Sequence, residues 1–309
     1  MTHDRRLAPP RSAVRAATRG RTHGRSDRPE ELIPVTIPEL EHIAKQARQL
    51  IVETVIHAGV GHAGGSLSAV EVMTALYFDV MRIDPDNPKW EDRDRFVLSK
   101  GHGAVGLYTH LHLRGLMSRD TLFTFRANGS SLAGHPDMHK VPFVEMSTGS
   151  LGHGLAAGIG MALAAKLDGK SYRTFVMIGD GESQEGSIWE GALCAPHYKL
   201  DNLTVILDRN RIQIDGFTED IMSLEPVAAK WRAFGWEVRE IDGHSMADVV
   251  STLRAVPLAP GKPSFIVSNT VKGKGVSFME NNYVWHGGAP NGELAEIARR
   301  ELAAALEGK

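Results

Sequence analysis

The chain has 309 residues, of which 42% are hydrophobic and 23% charged, with a formal net charge of −2 and a single cysteine; this is a globular composition, long enough to bury a large core. The near-neutral balance gives no reason to expect a nucleic-acid partner, and no apolar run reaches the roughly 20 residues a membrane helix needs, so no membrane partner is expected either. Cys194 cannot form an intrachain disulfide; it reads as a small buried hydrophobe within a helix and fits a reducing, cytoplasmic setting.

The first 31 residues hold eight Arg against four acidic residues, with little apolar periodicity. Residues 1–33 are therefore expected to form a disordered Arg-rich extension, in which Pro9-Pro10 and Gly20 interrupt the amphipathic helix a transit peptide would need. Residues 34–309 read as one domain. From Ile37 the apolar positions Leu40, Ile43, Ala44, Ala47, Leu50, Ile51 and Val55 recur at helical spacing, and the pattern stops at Gly59. Further helices are predicted at Ser68 to Met81, Gly103 to Arg114, Arg119 to Phe125 and Gly152 to Leu167. Beyond them, strands are predicted at Thr174 to Ile178, Leu203 to Leu207, Trp236 to Ile241 and Ser264 to Ser268. Helices intervene at Ser187 to Tyr198, Pro226 to Phe234 and Ser245 to Val256, and a last one runs from Gly292 to Leu306. This alternation predicts right-handed crossovers, hence an α/β fold with a mostly parallel sheet flanked by helices.

One motif stands at the end of a predicted strand: Gly179-Asp180-Gly181, followed after 28 residues by Asn210. A strand ending this way lifts the Asp180 carboxylate to the carboxyl edge of a sheet, where open α/β folds bind ligands. Mg²⁺ takes six oxygens at about 2.0–2.1 Å, usually a few from protein and the rest from phosphate and water. The amide of Asn210 and the main-chain carbonyl of Ile212 follow a second strand end and can join Asp180 around one ion, Mg²⁺ or another divalent cation such as Ca²⁺ or Mn²⁺. Four histidines lie in glycine-rich loops: His62 in Gly61-His62-Ala63-Gly64-Gly65, His102 in Lys100-Gly101-His102-Gly103, His135 in Gly134-His135-Pro136 and His286 in Trp285-His286-Gly287-Gly288. Imidazole in such a place can donate, accept or exchange a proton near neutral pH. His57, His110 and His112 fall inside helices and read as packing or surface residues.

Together with Ile212-Gln213-Ile214-Asp215-Gly216, Asp94 to Ser99, Thr148 to Gly152 and His286 to Pro290, these motifs resemble, in the same order, the amino-terminal, diphosphate-binding part of transketolases. The resemblance covers about residues 37–295 and implies a thiamine diphosphate and Mg²⁺-binding fold over 34–309. It implies that His102 and His286 contact the diphosphate and face the reaction centre, that His62 bonds the sugar near its carbonyl, and that His135 lies beside the donor's hydroxyls. It further implies cofactor contacts from Gly149, Ser150, Leu151, Gly181 and Ile214, with Asp180, Asn210 and Ile212 holding the metal. The family counterpart of Glu185 belongs to a carboxylate network at a dimer interface. Ile214 reads equally as a core residue, and Glu185 as a helix-start acid favoured by the helix dipole. Two departures are visible: Arg209 stands where many such enzymes carry Asn or an acid, and His153 where full-length transketolases often carry Gln.

In this superfamily the activating Glu sits on a second domain, which 309 residues do not accommodate. The resemblance therefore implies the amino-terminal subunit of a split transketolase. Completed by a separate carboxyl-terminal subunit, in a dimer of heterodimers, it would move a two-carbon ketol unit from a ketose phosphate to an aldose phosphate. The alternatives are a specialised split transketolase for a branched or modified sugar phosphate, a deoxyxylulose phosphate synthase-like enzyme and the alpha subunit of a 2-oxo acid dehydrogenase. A regulatory partner that only binds thiamine diphosphate is the non-enzyme alternative.

Overall fold

The first helix is set by its ends. Thr36 and Glu39 close a capping box, with the Thr36 amide donating to the Glu39 carboxylate at 2.9 Å, and Gly59 ends the helix at φ 68°, a left-handed conformation that glycine adopts without a Cβ penalty. In a computed structural model that describes residues 35–308, this helix is α1 (Ile37–Ala58). The expected Arg-rich extension lies outside the described residues. After α1 come α2 (Ala63–Leu67), α3 (Val70–Ala75), a π-helical turn (Leu76–Val80), β1 (Arg95–Leu98), α4 (Ala104–Leu113), α5 (Arg119–Leu122), α6 (His153–Leu167), β2 (Thr174–Gly179), α7 (Gly186–His197) and β3 (Leu203–Arg209). A small hairpin of β4 (Ile212–Gln213) and β5 (Gly216–Phe217) leads to α8 (Thr218–Ile221), α9 (Val227–Ala233), β6 (Glu237–Asp242), α10 (Met246–Arg254), β7 (Ser264–Asn269) and α11 (Gly292–Glu307).

Five strands pair in the order β1-β2-β3-β7-β6, every pair parallel. The two-residue period of a strand divides the core: Phe175 and Met177 of β2 join α1, α3, α4 and α10 on one face, while Val176 and Ile178 join α6, α7 and α9 on the other. On the second face Trp231 stacks on Phe265 at 3.9 Å, and the Trp236 indole donates to the Ala192 carbonyl at 2.8 Å. The expected mostly parallel α/β fold is thus the observed one.

The short elements β4, β5 and α8 were not predicted, α5 ends at Leu122 where Phe125 was expected, and three further details differ from the sequence reading. Strand β1 was not predicted, because its three buried residues are flanked by Arg93-Asp94-Arg95 and Ser99-Lys100; tertiary pairs absorb those charges, Asp94 with Arg173 at 2.6 Å and Arg95 over the Tyr172 ring at 4.5 Å. The helix expected over Ser68 to Met81 is divided, since helix begins earlier, at Ala63, and α3 passes at Leu76 into the π turn that buries Leu76, Tyr77 and Val80. Cys194 is half-buried against the second core face, where full burial was expected.

Register decides where chemistry can occur. Gly179 pairs with Asp208, and Asp208 with Ser268, so the loops after β2, β3 and β7 leave the sheet side by side at its carboxyl edge.

Candidate active site

The loop after β2 meets the loop after β3 at Asp180. One oxygen of this buried carboxylate accepts the Arg211 amide; the other, Oδ1, makes no hydrogen bond but forms an ion pair with the Arg209 guanidinium at 3.2 Å. Burial, with the charge of Asp208 adding to it, pushes the Asp180 carboxyl up to about 7 against the pull of Arg209. Asn210 is held with its amide nitrogen on Asp208 at 2.9 Å and its oxygen accepting the Ile212 amide at 3.1 Å. A buried carboxylate oxygen that makes an ion pair with Arg209 but no hydrogen bond, beside an amide oxygen and a peptide carbonyl, fits a hard divalent cation. Among the described residues no group of three His, Cys, Asp or Glu is arranged for a metal, so such an ion would depend on these neutral oxygens and on its ligand's phosphates. Arg209 also reaches Thr218, Glu219 and Glu225, tying the segment after the hairpin to the loop.

Three of the four loop histidines converge. Ring centroids of His62, His102 and His286 lie 5.5 Å (His62 to His102), 5.7 Å (His62 to His286) and 5.1 Å (His102 to His286) apart, held there by the Gly288 amide donating to Gly61 at 2.7 Å. Burial, followed by the charge of Lys272, lowers His286 to about 3; burial and Lys100 hold His102 well below the ordinary imidazole range; burial, then His135 and Arg126, lowers His62. All three are therefore neutral imidazoles at neutral pH, each able to donate from one nitrogen and accept at the other. His135 stands on the adjoining loop with its ring packed over Gly149; a Cβ there would lie 2.9 Å from the ring, and Gly149 has φ 140°. Ser150 is exposed and Leu151 half-buried just ahead of α6, whose amino end favours an anion.

Two lysines join these halves, and sequence reasoning did not assign either. Lys272, 2% exposed, donates to the Ile212 carbonyl at 3.1 Å and meets His286 Nδ1 at 2.8 Å. Burial, reinforced by Lys100, lowers its ammonium to about 8. Lys100 donates to the Gly65 carbonyl at 2.7 Å and pairs with Asp208, which also accepts from Ser68 and Thr270; against the cost of burial these partners hold Asp208 below the usual carboxylate range. Glu182 is a third unassigned group: it accepts from Ser99 and from the Gly152 and Gly179 amides, pinning three site loops to one another. A visible signal existed for Lys272, which stands between a strand end and Gly273. Glu182 directly follows Gly179-Asp180-Gly181, but nothing in the sequence showed its partners.

The remaining expected site residues lie nearby but outward. Gly181 packs against Gln213, Glu185 stands at the N-cap position of α7 with an exposed side chain that makes no capping bond, and Ile214 is 62% exposed, which removes its alternative reading as a core residue. His153 is exposed at the start of α6. His110, by contrast, is fully buried between Thr74 at 3.0 Å and the Gly106 carbonyl at 2.7 Å, the packing role expected of it.

The family model described as the thiamine diphosphate binding domain of transketolase matches residues 40–305. The chain is similar to an apulose-4-phosphate transketolase subunit of Phocaeicola vulgatus, 49% identical over 271 residues that span 88% of this chain and 96% of that one. It is similar to a 6-deoxy-6-sulfo-D-fructose transketolase subunit of a Clostridium species, 47% identical over 85% of this chain and 96% of that one. A solved transketolase from Campylobacter jejuni superposes with a TM-score of 0.82 at 32% identity, covering 87% of this chain and 43% of the other, so the chain spans less than half of that longer protein.

Proposed function

The chain belongs to the transketolase family, as its thiamine diphosphate-binding domain, and from that premise we propose that it is the diphosphate-binding subunit of a split transketolase specialised for a branched or modified sugar. Its relatives of nearly equal length are named as subunits and for apulose-4-phosphate or 6-deoxy-6-sulfo-D-fructose, which favours the specialised reading over general exchange among ordinary ketose and aldose phosphates. The observation that carries the chemistry is Lys272, a buried cation that joins the Ile212 carbonyl to His286 and so joins the proposed metal loop to the histidines.

Thiamine diphosphate, when bound, supplies a nucleophilic thiazolium carbon. Asp180, Asn210 and the Ile212 carbonyl would hold Mg²⁺, and Lys272 with His102 and the loop of Gly149, Ser150 and Leu151 would receive the anionic oxygens of the diphosphate. Neutral His62 and His286 face the sugar carbonyl, where one imidazole can donate to the oxygen and another accept a hydroxyl proton; His135 bonds the donor's hydroxyls. A second polypeptide supplies the pyrimidine-binding half and its Glu. The exposed apolar side chains of Ile214, Phe217, Ile221 and Met222, beside exposed Glu185, are consistent with a surface that such a partner covers in a dimer of heterodimers.

Product analysis with the co-purified partner tests this reading. Ketol transfer from the apulose phosphate or sulfosugar named for the relatives, faster than from an unbranched ketose phosphate, is expected; decarboxylation with condensation, or acyl transfer to lipoamide, overturns it.

A further inference from the structure

The segment that carries Lys272 is held by a buried chain of polar contacts from three other elements. One guanidinium nitrogen of Arg48 on α1, Nη2, donates to both carboxylate oxygens of Glu71 on α3, at 2.6 and 2.7 Å. Glu71 Oε2, which accepts from Arg48, also meets His244 Nδ1 at 3.1 Å, and His244 Nε2 accepts the Val271 amide at 2.8 Å. Since Nε2 accepts, the proton of the neutral ring sits on Nδ1 and is donated to Glu71. Arg48 closes the circuit by donating from Nε to the Lys274 carbonyl at 3.2 Å. The backbone on either side of Lys272 is thus gripped at Val271 and Lys274, and the gripping side chains are only 10% (Arg48), 8% (Glu71) and 14% (His244) exposed.

A buried ion pair of this kind is a weak device for stability alone, because desolvating its charges offsets much of their attraction. Its geometry answers a different need. Lys272 is a long side chain with several rotatable bonds, and its ammonium stands between one carbonyl and one imidazole only if the backbone at its root is fixed. We propose that Glu71 and His244 are positioning residues that act through Lys272, setting the place of its ammonium at the diphosphate end of the site. This rests on the reading of Lys272 as a diphosphate-facing cation.

Calorimetric titration of the full chain with inorganic diphosphate and Mg²⁺ reads the effect without turnover. His244→Asn keeps an N–H near the Nδ1 position but removes the acceptor of the Val271 amide; a buried amide left unpaired is expected to weaken diphosphate about tenfold. His244→Gln presents an acceptor near the Nε2 position and is expected to stay within about threefold of the parent. Lys272→Ala weakens diphosphate by itself, and adding His244→Asn to it is expected to cost less than about twofold more, because the partner through which His244 acts is gone. Unchanged affinity in Lys272→Ala overturns the reading of that cation. Weakened affinity there, together with either no effect of His244→Asn or losses that multiply in the double variant, overturns the positioning role alone. If His244→Asn fails to fold, the same comparison is made with His244→Gln, whose smaller loss must vanish on the Lys272→Ala background; a loss that persists overturns the proposal.

Discussion

The interior beneath the sheet and the sheet's carboxyl edge are equally buried, yet they treat polar groups in opposite ways. In the interior the buried polar side chains are mostly neutral ones: His110 is completed by Thr74 and the Gly106 carbonyl and Trp236 by the Ala192 carbonyl, while Thr54, Thr109 and Trp231 leave an uncharged hydroxyl or indole N–H without a hydrogen bond. At the edge, Lys100, Lys272, Asp180, Asp208 and Glu182 crowd together with three histidines, one carboxylate oxygen lacks a hydrogen bond, and an apolar hairpin beside them is left exposed. Desolvating a charge costs far more than desolvating a neutral polar group. The interior keeps that cost small by burying mostly neutral groups, whereas the edge buries charges and leaves part of their cost unmet, which is the condition a binding site needs if its ligand is to supply the missing charge.

That contrast can be broken most completely by activity. The purified chain with thiamine diphosphate, Mg²⁺ and sugar phosphates is expected to show no ketol transfer until a second polypeptide is added; full turnover from this chain alone means the edge is complete as it stands. Next in size, Asp180→Ala removes the only charged donor proposed for the metal and is expected to abolish Mg²⁺-dependent cofactor binding, a loss of more than about a hundredfold by calorimetry. Unchanged affinity would remove Asp180 from the site.

The histidines sharpen the comparison. His62→Ala and His286→Ala are expected to lower turnover of the assembled enzyme by about a hundredfold while leaving the thermal midpoint of the chain nearly unmoved, since these rings touch ligands and one another more than the core. A collapsed midpoint with normal activity per folded molecule assigns them to the interior instead. His110 should behave in the reverse way. Burial lowers it from 6.5 to about 4, so the stability it contributes is present above pH 6.5 and is lost as pH falls towards 4. By pH 5.5 the loss is on the order of 1 kcal/mol; urea titrations across pH should show His110→Gln free of that component, and identical pH dependence of stability in parent and variant would count against it.

The legible part of the site was the part written in local patterns. Gly179-Asp180-Gly181 with its spacing to Asn210, and histidines among glycines, could be read because each lies in a short segment at the end of a predicted element. Arg209 was visible as a departure, but its partners were not: its guanidinium faces Asp180 and also holds Glu219 and Glu225. Lys272, Glu182, Glu71 and His244 remained unassigned because their meaning is in their partners. Glu71 and His244 meet across 173 residues of chain, and Lys100 and Asp208 across 108.

By itself the sequence determined the type and order of most elements, since the periods of helix and strand are local properties of apolar spacing, and it marked the loops able to approach an anion. Tertiary structure alone decided that β1 is a strand, that Ile214 faces outward and that two lysines and three histidines share one buried edge. The physical reason is that the cost of burying a charge depends on what surrounds it in space, and the chain reveals those surroundings only once five parallel strands have brought their ends together.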